Sequence, residues 1–132
     1  MNRSNKALVA SRSSWHCVHN KLREEWLELM ADNVVIEDPI GVSPLDPVGK
    51  GHCGKEAVGR FWDKNIQPNT IQIEPKVSYT AGEEVAHLLT LTTTFAGGSQ
   101  VQVEGVFTYA VNDEGKIEAI RGYWEMSDIQ ML

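Results

Sequence analysis

Leu8, Ser11, Trp15, Val18 and Leu22 recur at steps of three and four, the spacing of one stripe of a helix. A break near His19–Asn20 divides this segment. A second helix is expected from about Leu22 to Ala31, with Leu22, Trp26, Leu29 and Met30 on its apolar side and Asp32–Asn33 ending it. Residues 34–38, VVIED, form a β-rich run that Pro39 stops. Proline disfavours the α region for its predecessor, so Asp38 is expected extended at the strand tip. Residues 39–54 hold three prolines and four glycines and read as loop. The spacing of Val58, Phe61, Trp62 and Ile66 predicts a helix over about 55–65.

After Pro68 the period changes. Four β runs follow, at 70–80, 84–96, 100–111 and 116–126, separated by turns at 81–83, 97–99 and 112–115 with hairpin chemistry. Three N-terminal helices followed by an antiparallel meander make an α+β plan, expected as one domain spanning residues 1–132. A sheet of this size must curve around its helices. Where the helices do not fill the concave side, a pocket is left.

Composition narrows the function. The chain has 132 residues and a net charge of −6, from 18 acidic and 12 basic side chains, with no two basic residues adjacent. Without a basic stripe to displace counterions from phosphates, nucleic acid is not expected as a partner. No apolar stretch reaches the roughly 18 residues of a membrane span. The N-terminus lacks the apolar block of about 7–15 residues that marks a secretion signal. The expected location is therefore the cytosol, where Cys17 and Cys53 are free thiols.

The chemistry centres on Glu37 and Asp38. Neighbours on a strand point to opposite faces, so the two carboxylates diverge, and the plain expectation is that one or both are solvated at the strand end. Val34, Val35 and Ile36 are all apolar, so parity does not decide between them. The stretch LMADNVVIEDPIG (29–41) resembles the steroid Δ-isomerase branch of the nuclear-transport-factor-2-like superfamily. The resemblance continues in GKEAVGRFW (54–62), VFTYAVNDEGKI (106–117) and IRGYW (120–124), in the right order. It implies a cone-shaped fold and a cofactor-free isomerase whose base is the aspartate before the proline, here Asp38. Moving the double bond of a β,γ-unsaturated ketone into conjugation takes a proton from one carbon and returns it two carbons away. One positioned carboxylate can do both.

The family's donors to the enolate oxygen are a helix tyrosine and a late-strand aspartate. Their places fall here on Ser14 and Phe107, and the supporting tyrosines become Met30 and Trp62. Glu104 lies on the other strand face from Phe107. Tyr109 and Trp15 are the expected replacement donors, with Ser14 a further candidate. Matching to the family puts Val18, Trp62, Leu89, Leu91, Phe107 and Trp124 on the wall around a flat, steroid-like ligand. His87 is expected either at the mouth or, by preference, as a satisfied structural histidine.

Other readings find less. His16, Cys17 and His19 share one helical turn and His52–Cys53 follow in the loop, but the spacing matches no zinc cluster, so no metal is expected. Nucleotide and serine-hydrolase signatures are absent. The superfamily's epoxide hydrolases need an Asp-Arg-Asp set, and no second strand aspartate accompanies Asp38 and Arg121. The competing function is a binding protein that keeps the cavity without turnover. A third is an interaction module, since Thr90, Thr92, Thr94, Gln100, Gln102, Glu104 and Thr108 form a flat sheet face suited to a homodimer.

Overall fold

The computed structural model describes residues 4–132. Helix α1 spans Lys6–Asn20. Its cap Asn5 accepts from the Leu8 N–H at 3.0 Å and donates to the Gly82 carbonyl at 2.8 Å, tying the helix start to a hairpin turn. Lys21 ends it in the left-handed region, and the Lys21 ammonium donates to the carbonyls of Ile66, Gln67 and Asn69. Helix α2 (Arg23–Glu28) is short, and strand β1 (Met30–Glu37) begins four residues earlier than the sequence pattern suggests. The physical reason is pairing. Met30 stands opposite Ile117, and the Ile117 N–H donates to the Leu29 carbonyl, so sheet partners override local helix preference.

Helix α3 (Gly54–Phe61) continues as a π-helical turn, Trp62–Ile66. It comes after β1 and the two-residue strand β2 (His52–Cys53), so the three helices do not form one N-terminal block as expected. Nor is the 39–54 segment loop throughout, because β2 pairs with Val35 and Ile36.

The meander is as the alternation predicted: β3 (Thr70–Ala81), β4 (Glu84–Thr94), β5 (Gln100–Val111) and β6 (Ile117–Tyr123) pair antiparallel in turn. Among the described residues the sheet has seven strands in the order β2-β1-β6-β5-β4-β3, with β7 (Gln130–Met131) on β5. β1 joins β6 in parallel, so the sheet is mixed rather than purely antiparallel. Register shifts at Pro75/Val77, Ala110/Val111 and Met30/Val35 bend it, as bulges do. Pro75 is tolerated because β3 is an edge. The result is an α+β fold with a curved, unclosed sheet. α1 packs across β3, β4 and β5 on the concave side, and α3 covers β1. Among the described residues no helix is long and apolar enough to cross a membrane.

Candidate functional site

The helices leave part of the concave face uncovered, and a cavity of about 280 Å³ remains. That is near the lower end of the range for small-molecule sites. Cavity-facing positions follow the strand period. Leu89, Leu91 and Thr93 come from β4, Phe107 and Tyr109 from β5, Ile36 from β1, and Asp38 from the residue directly after β1. Val18, Ser14 and Trp15 descend from α1, and Trp124 follows β6.

Parity on β1 is settled by what each carboxylate meets. Glu37 turns outward to the Arg121 guanidinium at 3.0 Å, while Asp38 joins buried Val34 and Ile36 on the inner side. The Asp38 Oδ1 accepts from the Trp124 indole N–H at 2.7 Å, its one hydrogen bond among the described residues. The residue keeps some accessible surface because it lines a hollow, yet protein encloses the carboxyl itself. This burial pushes its pKa up to about 6, and the indole N–H opposes the rise only in part. Gly122 makes room for the arrangement. A Cβ there would sit 2.9 Å from the Asp38 Oδ1, the Phe107 ring and the Trp124 Nε1.

Two hydroxyls share the cavity with the carboxylate, and each has its acceptor site filled by an indole. The Trp15 N–H donates to the Tyr109 oxygen at 2.9 Å, and the Trp26 N–H donates to the Ser14 oxygen at 3.0 Å. Neither hydroxyl proton has an acceptor among the described residues, so both are free to donate into the cavity. Burial, above all, pushes the Tyr109 pKa well up, and the Asp38 charge adds to it, so the phenol stays a neutral donor. The same geometry corrects the expectation for Trp15. Its ring lines the cavity, but its N–H is spent on Tyr109, which makes Trp15 a positioning group for the phenol.

His87 is fully buried and outside the cavity lining. Ser11 gives its only hydroxyl proton to the Leu8 carbonyl at 2.8 Å, so at 2.9 Å it must accept from the His87 Nε2–H. His87 Nδ1 is then the acceptor for Ser78 at 2.6 Å. Burial lowers the His87 pKa to about 4, with the Arg12 charge adding to the effect, and the neutral ring packs edge-on against Trp15 at 4.5 Å. It is a structural histidine behind the indole that holds Tyr109.

Trp62, expected on the wall, lies behind it. The ring packs on Trp26 at 5.0 Å and donates to Gln67 at 2.7 Å, on the same side of the helix as buried Val58 four residues earlier. The residues considered for zinc diverge. His16 contacts Asn20, Cys17 is buried, His19 accepts from the Ile73 N–H and His52 packs on Phe61. Among the described residues no group of three or more metal-ligating side chains converges. Sequence reasoning missed several lining residues. Ile71 and Ile73 alternate on β3 and were within reach of the period-two rule, whereas Pro44, Leu45 and Ile129 come from irregular segments without periodicity.

Comparison with known proteins places the chain. The sequence model of the SnoaL-like domain matches residues 12–120. No curated protein matches significantly. Among solved structures, Rv0760c from Mycobacterium tuberculosis is 46% identical, with all of both chains covered and a TM-score of 0.95. The Δ5-3-ketosteroid isomerase from a Mycobacterium species is 42% identical over 97% of this chain and 99% of that one, with a TM-score of 0.94. A complex of Rv0760c with estradiol-17β-hemisuccinate is 47% identical over 96% of this chain and 99% of that one, with a TM-score of 0.93.

Proposed function

The chain belongs to the SnoaL-like domain family, and from that premise we propose that it is a steroid Δ-isomerase-like enzyme acting on a hydrophobic β,γ-unsaturated ketone. The observation that carries the reading is Asp38, an enclosed carboxylate with one indole hydrogen bond and the one charged side chain, among the described residues, on a largely apolar cavity wall. Likeness to a ketosteroid isomerase and to a steroid-complexed protein supports the ligand class.

The ketone oxygen accepts from the Tyr109 hydroxyl. Asp38 removes a proton from the carbon between carbonyl and alkene, and negative charge moves to the oxygen. The Tyr109 dipole stabilises that charge where no water competes. The neutral Asp38 carboxyl then returns the proton to the γ carbon. One C–H bond breaks and one forms, with no change of oxidation state and no cofactor. A base with a pKa of about 6 is mostly ionised at neutral pH, yet nearer to neutrality than a free carboxylate, which suits both halves of the shuttle.

The test is the appearance of conjugated-enone ultraviolet absorbance from a Δ5-3-ketosteroid across pH. The expected kcat/KM rises with pH and levels off above an apparent pKa of about 6, because the base must be ionised in the free enzyme. A profile with no transition there contradicts the role of Asp38. A second reading is favoured by Phe107, which stands where the family carries its second oxyanion donor: a steroid-binding protein of the same fold without turnover. Tight binding with no enone formed selects it. The outer sheet face bearing Thr90, Gln102 and Thr108 is the surface we assign to homodimer formation, to be read by sedimentation.

A further inference from the structure

Eleven large apolar side chains stand exposed among the described residues. Four of them, Val77, Tyr79, Val106 and Tyr123, share the outer sheet face. Val77 and Tyr79 stand opposite Leu88 and Ala86, which stand opposite Val106 and Thr108, and Val106 pairs with Tyr123. Val9 lies apart on α1. The other six, Val42, Val48, Phe95, Met126, Met131 and Leu132, come from three segments that meet at the mouth of the cavity. Phe95 and Met126 are both exposed and on the lining, so the cavity opens beside them. Pro44 and Leu45 complete that rim from the 42–51 loop. Val42 and Val48 flank them, because the Ser43–Asp46 bridge folds the loop back on itself and brings Gly49 against Val42. Met131 pairs with Val101, itself a lining residue, and the Leu132 N–H donates to the Gln100 carbonyl at 3.0 Å.

The backbone of these segments is bonded to itself. In the loop the N–H groups of Ser43, Asp46 and Gly49 donate to loop carbonyls at 3.0–3.1 Å. The Ser43 hydroxyl accepts from the Leu45 N–H, and the Asp46 carboxylate accepts from Gly51. Phe95 and Gly98 bond within their turn, and Glu125 and Asp128 each accept the other's N–H on a carboxylate. The apolar side chains can therefore leave water without stranding these backbone donors, which is the condition a lipid phase sets for irregular chain. A shaped protein partner is a poorer fit. Six side chains fall well short of the roughly 20–30 residues that each side gives to a stable protein interface. Charge narrows the lipid. Lys50 is the one basic residue on the three segments, against Asp46, Glu125 and Asp128, so nothing there recruits an anionic headgroup.

We propose that this rim docks on the surface of a neutral phospholipid bilayer, so that an apolar molecule dissolved there passes into the cavity without crossing water. The docking stands on the rim alone, whereas the passage of ligand rests on the reading that the cavity takes a hydrophobic molecule. An exposed apolar patch continuous with an apolar cavity covers the path that such a molecule must take. Attachment is shallow, at the boundary between headgroups and acyl chains. One fatty acyl chain gives only marginal, reversible attachment, and a rim of six side chains is of that order.

The experiment floats the protein with phosphatidylcholine vesicles in the absence of steroid. Wild-type protein is expected to float reversibly, half bound at roughly millimolar lipid, with no release by salt. Val42→Ser, Val48→Ser and Met131→Gln together remove three exposed apolar side chains, none of them on the cavity lining, and should lower the partition about tenfold or more. Val9→Ser removes an exposed valine from α1 and should leave it unchanged. Absence of wild-type flotation, an equal loss in Val9→Ser, or tighter binding to phosphatidylglycerol that salt reverses overturns the docking. So does a triple variant that floats like wild type, or one whose only change is a smaller mass in sedimentation, which assigns the rim to a second copy. Uptake of 4-androsten-3-one is then read by quenching of indole fluorescence, since Trp15 and Trp124 lie on the wall. From loaded vesicles its rate should rise with vesicle concentration in wild type and not in the triple variant. A wild-type rate independent of vesicle concentration overturns the passage. Steroid bound in buffer without flotation removes the docking and leaves the proposed function standing. Flotation without steroid binding keeps the docking and overturns the passage together with the reading beneath it.

Discussion

Asp38→Asn should make the protein more stable and nearly inactive. Asparagine keeps the acceptor for the Trp124 indole but cannot take a proton, so turnover is expected to fall about 10²–10⁴-fold. The stability gain comes from linkage. The folded-state pKa of Asp38 is raised from 3.8 to about 6, so the folded protein holds this proton more tightly than the unfolded chain. Its contribution is fully present below about pH 4 and is lost as pH rises through 6, leaving a penalty of up to about 3 kcal/mol at neutral pH. Removing the charge removes that penalty.

His87 runs the opposite way. Its folded pKa is lowered from 6.5 to about 4, so its contribution is present above pH 6.5 and is lost on acidification towards 4. In the wild type the two groups offset one another between pH 4 and 6. In Asp38→Asn the histidine is unmasked, and stability should decline by up to about 3 kcal/mol as pH falls from 6.5 to 4. Urea denaturation of both proteins at several pH values reads the gain and the change of slope. Unchanged stability at pH 7 contradicts an enclosed, ionised Asp38.

Tyr109→Phe is the second large effect. It removes the donor to the enolate oxygen, so a fall of about 10²–10³-fold in kcat is expected with little change in steroid affinity. It also leaves the Trp15 N–H buried without its partner, at a cost of about 1–3 kcal/mol in folding. Trp15→Phe separates the roles, because it keeps the phenol and loses only its orientation. Its kcat should lie between those of wild type and Tyr109→Phe. If Tyr109→Phe turns over like wild type, Ser14 or another group holds the oxygen instead.

Much of the fold was legible because the meander is written in period two. Hairpin turns punctuate it, and the strand faces then carried Leu89, Leu91, Phe107 and Tyr109 inward together. The parallel seam between β1 and β6 was hidden, because helix preference at Leu29 and Met30 outweighed a pairing visible only in three dimensions. Asp38 stood out through the residues around it, but its inward face rested on Glu37 finding Arg121 across the seam. The Trp15–Tyr109 and Trp26–Ser14 bonds join positions 94 and 12 residues apart, and no local pattern announces them. Trp62 misled because its place on the wall came from matching to the family, whereas its spacing sets it on the same helix side as buried Val58, in the core against Trp26.

A deuterium label follows the proton itself. A Δ5-3-ketosteroid carrying deuterium at both hydrogens of the carbon between ketone and alkene is converted at neutral pH, and the product is read by mass and NMR. A carboxylate shielded from water hands the abstracted deuteron to the γ carbon, so most product molecules should carry it there. An enone whose transferred position holds only solvent hydrogen, or no enone at all, contradicts a proton carried within the cavity by Asp38.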